Sequence, residues 1–536
     1  MKRYSPAKTL RRFGFRQTVR GALIIAVIGG LMMGAYGTAI VKVYPTEQSR
    51  QALVQTLSAT PAINFLSGEV KDAGTPASYS IYKSLPMMVL VTSIWGLMVA
   101  TRLLRGAEED GRLEALVSGA VTRRQAAGHQ LVGFGYSIVL AIVVMWALAA
   151  ALGAAPGVNL TPVAAFYMTL AVFLPGIVFA SVGAFTSQLA LTRGKAVMYG
   201  LVPLLVFYCI RGVANTNDQL NWLKAVSPFG WSDLINSVLD PQLLWIIPSA
   251  VCTVAFTVAG LYFVPRRDFG TSLLHQKTEV RSRFYLLTSP LAFTLRQKKW
   301  TYFWWLIATV AVALFMAALA GLVTNIIHGN NSLGVLSAIS PDTVKLLFIG
   351  ESFMIFSLIL LAMTILEMVS IRREEAKLYL DNFLVQPIRR RVWLTQRLFL
   401  MVVMAIVVAA LSTLAIWTMA RVQQVNFSVT NAIDSGIAVM GGLVLVAGVG
   451  AFLYGLWPRI AVVGMAIVVG WAFVIDILQG LFHLQDWVQK TSVLHYLPID
   501  PTKSVEWTGI IWMIAMGILL AAIGIFCFSR RDIISE

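Results

Sequence analysis

The sequence predicts an all-α integral membrane protein of about twelve transmembrane helices in two pseudo-symmetric six-helix halves. Three observations lead there. Hydrophobic residues make up 58% of the 536-residue chain and charged residues only 12%, where soluble domains run near one half and one quarter. Apolar stretches of about 20 residues, long enough to cross a bilayer, recur twelve times. The charged segments between them repeat in the same order in both halves.

The candidate spans are 21–43, 85–104, 129–153, 162–190, 196–214, 242–264, 301–325, 345–371, 393–419, 434–456, 460–482 and 507–529. Helices are the expected form, because a segment in lipid must satisfy its own backbone hydrogen bonds. Placing the N-terminus inside puts 32 of the 42 Lys and Arg on the inner side and 10 outside. The acids divide 12 to 13, so the inner side is near +20 and the outer near −3. The positive-inside rule then sets both termini in the cytoplasm, which for this chain means a multi-pass protein of the bacterial cytoplasmic membrane. The pI near 9.9 reflects a basic face toward anionic lipid and calls for no nucleic acid. The basic N-terminus resembles a signal n-region, but the apolar run behind it is too long for an h-region and reads as a retained first span. The three cysteines, Cys209, Cys252 and Cys527, fall inside apolar runs as packing residues.

The halves are delimited as 1–264 and 301–536, with a basic linker over 265–300. Three pairs of segments match. FRQTVRGALI (15–24) precedes the first span and LRQKKWTYFW (295–304) the seventh. EEDGRLEALVSGAVTRR (108–124) follows the second span and REEAKLYLDNFLVQPIRRR (373–391) the eighth. NWLKAVSPFGW (221–231) follows the fifth and DWVQKTSVLHYLPIDP (486–501) the eleventh. Copies with an even number of spans keep the same orientation, so the halves are parallel repeats.

The second of these pairs is the most informative. Leu113, Leu116, Val117, Ala120 and Val121 recur at helical spacing and form one apolar face. Glu108, Glu109 and Asp110 precede that face and Arg123 and Arg124 follow it, the charge order a helix dipole favours. In the second copy Leu380, Phe383, Leu384 and Ile388 share a face, between Glu374/Glu375 and Arg389/Arg390/Arg391. A slide of one residue is needed to align both the glutamates and the apolar face. An interfacial helix resting on lipid has the same pattern; a docking helix for another protein is the alternative, which the duplication favours.

This arrangement of paired glutamates, short helix and arginine cluster between the second and third spans resembles the permeases of type-2 ABC exporters. The tandem form is similar to the twelve-span permeases of antibiotic or polyketide export. The resemblance implies that 108–122 and 374–389 are coupling helices gripping two ATP-binding subunits, that 5–19 and 270–299 are connecting helices, and that short re-entrant helices lie over 215–240 and 483–505. It implies export of hydrophobic or amphipathic compounds, with ATP and Mg bound only in the partner subunits. The docking residues so implied are Glu108, Glu109, Leu113, Leu116, Val117, Arg123, Glu374, Glu375, Leu380, Phe383, Leu384 and Arg390. Trp95, Met98, Glu351, Phe353, Phe356 and Asp476 are candidates for a substrate path.

No GxxxxGK[ST] phosphate loop occurs in the sequence, so ATP hydrolysis by that route belongs to a partner. The histidines are scattered without metal-ligand spacing. An ion-coupled secondary transporter would need embedded ionisable groups. Glu351, Glu367, Asp476 and Arg211 are its candidates, with Glu367 read at an inner helix end and Arg211 as snorkelling from an outer one. A membrane transferase would need an acidic cluster that the short outer loops lack. Pro175 and Pro203 are expected to kink the fourth and fifth spans.

Overall fold

The chain divides into two compact units, Met1–Val280 and Arg281–Glu536. The computed structural model describes residues 6–58, 64–65, 67–68, 74–117, 121–216, 218–235, 241–268, 270–274, 285–286, 289–329, 340–376, 389–481, 485–497 and 505–531. No strand occurs among the described residues, and twelve helices are long and apolar enough to cross a membrane. In the first unit these are α1 (Pro6–Val43), α2 (Pro76–Thr101), α3 (Arg123–Gly153), α4 (Pro162–Leu189), α5 (Arg193–Ala214) and α6 (Ile246–Phe263). In the second they are α7 (Pro290–Gly329), α8 (Pro341–Ala376), α9 (Arg390–Val422), α10 (Val429–Leu456), α11 (Pro458–Leu481) and α12 (Trp507–Arg530).

Helix starts follow local chemistry. Thr75, Thr161 and Thr192 accept from backbone N–H groups of the first turns of α2, α4 and α5, and Pro76 and Pro162 sit at the first helical position, where no N–H is needed. Thr122 and Gln125 form a reciprocal capping box at the start of α3. The basic segments expected as connecting helices are instead continuous with the spans they precede. Residues 6–20 are the first turns of α1 and 290–299 those of α7; part of the 270–299 segment lies outside the described residues. At 1.5 Å per residue α1 is about 57 Å long, nearly twice a hydrocarbon core of about 30 Å.

In the first unit α1 lies against α3 through small residues. A Cβ on Gly14 or Gly133 would overlap the facing backbone of Gln130 or Arg11, and Thr18 and Ser137 share a hydrogen bond of 2.7 Å. Across the α2–α4 crossing the Thr92 hydroxyl donates to the Val172 carbonyl at 2.7 Å, beside the contact of Gly96 with Gly176. Pro175 lies inside α4 and deprives the Ala171 carbonyl of its helical donor. The Ser232 hydroxyl supplies one at 2.8 Å, which seats the short helix Pro228–Ile235 on α4. In the second unit α10 and α12 meet over Gly448, Gly455, Gly517 and Gly524, each with no room for a Cβ. Interhelical hydrogen bonds in lipid are worth on average only about 0.6 kcal/mol, and close packing over small residues contributes to association beside them.

Between α5 and α6 the chain forms the 3-10 helix Asp218–Val226 and the helix Pro228–Ile235; between α11 and α12 it forms the short helix Asp486–Gln489. Residues 217, 236–240, 483–484 and 498–504 of these expected re-entrant regions lie outside the described residues.

Candidate functional site

Beyond α2 the helix widens into a single π turn, Arg102–Gly106, and then a last α turn, Ala107–Glu109. This turn buries Arg105, which is 1% exposed. Its Nε donates to the Leu191 carbonyl at 2.8 Å and its Nη1 to the Thr271 carbonyl at 2.9 Å. The buried Glu108 carboxylate lies 3.2 Å from Arg105. It accepts from Arg267 on both oxygens, one at 2.6 Å, and from the Gly270 N–H at 2.9 Å. Arg267 also donates to Gln188 at 2.9 Å, and its carbonyl accepts from Arg123 at 2.9 Å. Glu109 accepts the Arg193 N–H at 2.7 Å. One carboxylate pair thus ties the end of α2 to the α4–α5 turn, the start of α3 and the segment after α6.

The expected single helix over 108–122 is broken. Asp110 ends the α2 extension, Gly111 reverses the chain at φ +68°, a conformation glycine adopts without steric cost, and a separate helix runs Arg112–Val117. Glu108 and Glu109 therefore close one helix instead of opening the next. The dipole there disfavours anions, and the two arginines and the Gly270 N–H offset it. Arg123 likewise belongs to the first turn of α3, not to the end of the charged segment. The apolar face is real but turned inward: Leu113 is buried with Leu10, Ala107 and Ala126, and Leu116, Val117 and Val121 pack on that cluster. Glu109, Asp110, Gly111, Glu114 and Ala115 are left exposed.

The second unit repeats the tie. Glu375 accepts from the Tyr454 hydroxyl at 2.6 Å and from Arg531. The Arg531 carbonyl accepts from Arg390 at 2.8 Å, as that of Arg267 does from Arg123. The geometric partner of Glu108 is therefore Glu375, not Glu374. In that register Leu380, Phe383 and Leu384 match Leu113, Leu116 and Val117, and Arg390 matches Arg123, so no slide is needed. Leu380, Phe383 and Leu384 themselves lie outside the described residues. Glu374 pairs instead with Arg397 at 2.6 Å, and Glu367 with Lys298, both buried. Arg372, Glu375, Trp457, Pro458, Arg459 and Arg531 line an open cleft of about 670 Å³.

Sequence reasoning missed Arg267 and Arg531. Their signal was present: Arg-Arg-Asp stands at 266–268 and again at 530–532, directly after the last span of each half.

Of the substrate-path candidates, Phe353 and Phe356 are fully buried and packed with each other and with Phe427. They hold the second unit's helices together and line no open surface. Trp95 is half-buried, edge-on to Phe134 at 5.3 Å. Met98 and Glu351 are exposed and Asp476 is half-buried. Arg211 does not snorkel; it is 1% exposed and holds Asp233 with two hydrogen bonds of 2.7 and 2.9 Å.

Two units of six apolar helices, each with a buried charged tie after its second spanning helix, define a polytopic membrane protein of tandem build. The chain belongs to the family described as multidrug efflux system permease Rv1217c, C-terminal domain, whose model matches residues 15–264 and 287–529. The first stretch falls within the first unit and the second within the second. Comparison with curated proteins finds no match. The protein is a transmembrane efflux permease.

Proposed function

We propose that this permease is the membrane subunit of an ATP-driven ABC exporter with both halves in one chain, powered by two ATP-binding subunits. The observation that carries this reading is the duplicated tie of Glu108 to Arg267 and Glu375 to Arg531. A charged segment so tied passes any displacement to the turn between two other spans and to the end of a third. That is what a motor-driven lever needs. Partners dock on the basic end, which places both termini in the cytoplasm of a bacterial cell, and the cargo is hydrophobic or amphipathic, antibiotic-, drug- or lipid-like.

The docking surface in the first unit is the outward side, Asp110, Glu114 and Ala115, because Leu113, Leu116 and Val117 face their own unit. Glu114→Arg with Ala115→Arg is expected to weaken co-purification of the ATP-binding subunits about tenfold without changing the melting temperature. Opposed surface charges act on association this way. Leu116→Asp is expected instead to lower the melting temperature. Unchanged co-purification by the double variant removes the docking role.

A second reading, an ion-coupled transporter, draws on Glu351, exposed on a spanning helix and within electrostatic reach of Asp476. Transport that survives ATP depletion and collapses with the proton gradient would favour it.

A further inference from the structure

The first unit holds a groove of about 490 Å³ bounded by α3, α4 and α6, within the range of small-molecule sites. Its origin is legible in the sequence. Val-Gly-Ala-Phe stands at 182–185 in α4 and 449–452 in α10, and the Arg-Arg-Asp pair aligns α6 with α12. In that alignment Ser181 takes the place of Gly448, and Thr253 that of Gly517. The glycines let α10 and α12 touch backbone to backbone. Ser181 and Thr253, both lining the groove, bar the same approach between α4 and α6. Nearer the basic end the helices do converge, where Gly260 meets the Ala184 backbone. They splay from that point.

The wall from α3 leaves the space unfilled. A Cβ on Gly135 would meet nothing within 4 Å, and one on Gly128 only the tip of Leu261 at 3.9 Å. The hydroxyls of Ser181 and Thr253 are spent inside their own helices, on Val178 at 2.6 Å and Ser249 at 2.8 Å. Polarity is concentrated at one end, where Arg11 Nε donates to His129 Nδ1 at 3.4 Å. Among the described residues, neither terminal nitrogen of Arg11 has a partner and no carboxylate lines the groove. The flanking Val132, Val254 and Val258 are exposed, as side chains facing acyl chains are.

We propose that the groove binds a membrane phospholipid with an anionic headgroup, one acyl chain lying along α3 over Gly128 and Gly135 and the phosphate meeting Arg11 and His129. A cation with no carboxylate partner among the described residues, at the end of an apolar slot, selects an anionic amphiphile over neutral cargo. Leu10, beside Arg11, packs under Leu113, so an occupied headgroup site braces the charged segment.

Native mass spectrometry of the purified full chain, titrated with phosphatidylglycerol or phosphatidylcholine, tests this. The wild type is expected to retain one phosphatidylglycerol with about fivefold preference, the worth of one basic residue near a lipid surface. Arg11→Gln is expected to abolish the preference. Gly135→Leu fills the slot and is expected to lower retention of both lipids. Gly470→Leu, in α11 and also facing open space, controls for added apolar surface and is expected to change neither. Equal retention of the two lipids by the wild type, or an unchanged preference in Arg11→Gln, overturns the proposal. If Gly135→Leu fails to fold, Arg11→Gln alone decides.

Discussion

Glu108→Ala is expected to abolish transport and to destabilise the first unit by about 3–5 kcal/mol, the cost of stranding buried charge. The residue is small in area, so its effect comes from what it leaves behind. Arg105 is 1% exposed, and the Arg267 side chain 7%. Both lose a carboxylate, and the Gly270 N–H loses its acceptor. Arg105 keeps the Leu191 and Thr271 carbonyls, so its helix end stays formed, whereas among the described residues Arg267 keeps only Gln188 and a longer bond to the Thr271 carbonyl. The segment after α6 is therefore expected to detach first. A double variant, Glu108→Ala with Arg267→Ala, should cost less than the sum of the singles, as contacting partners do. The equivalent Glu375→Ala is expected to cost less, because Arg531 retains the Tyr454 carbonyl at 3.3 Å and lies over the rings of Tyr454 and Phe528. Thermal unfolding in detergent and uptake of substrate into inverted vesicles measure the two effects. A Glu108→Ala protein with wild-type melting and transport would show the tie to be incidental.

What the sequence disclosed here, and what it hid, divides along physical lines. Twelve spans were legible because lipid demands a run of apolar residues whatever the neighbours are. Their true ends were not, because a hydropathy window stops at Arg20 or Arg105 while the helix continues; Lys and Arg are good helix formers, and nothing in residues 6–20 breaks the helix. The charged segment was legible as amphipathic but not as broken, although Gly111 was there to be read. Its apolar face was assigned to a partner when Leu10 of the same unit covers Leu113. The pairing of Glu108 with Arg267 joins residues 159 positions apart, a tertiary fact that only the Arg-Arg-Asp repeat hinted at. Of the aromatic path candidates, Phe353 and Phe356 sit at core spacing on α8, and both are buried in the unit's own packing.

Gly517→Leu is expected to disrupt the second unit's membrane region severely. A Cβ at Gly517 would already overlap the Val444 carbonyl, and Gly448 in turn has the Gly517 carbonyl against it. No rotamer of a larger side chain escapes a backbone, so the helices must part along the whole α10–α12 contact. Overpacking costs about 1–3 kcal/mol where side chains can yield, and here they cannot, so the upper end is the floor. The parting also reaches the charged tie. Tyr454 is on α10 and Arg531 follows α12, and both hold Glu375; separating the helices separates its two partners. Transport is therefore expected to fall with stability, and Gly524→Leu, one helical repeat nearer the tie, should impair transport at least as much. The first unit supplies the contrast. Thr253 holds the position of Gly517, so Thr253→Gly removes a wedge instead of adding one. It is expected to cost no more than about 1 kcal/mol, the intrinsic penalty of glycine in a helix, while narrowing the groove and lowering phospholipid retention. Equal melting of Gly517→Leu and Thr253→Gly would show that the backbone contact between α10 and α12 carries no special weight.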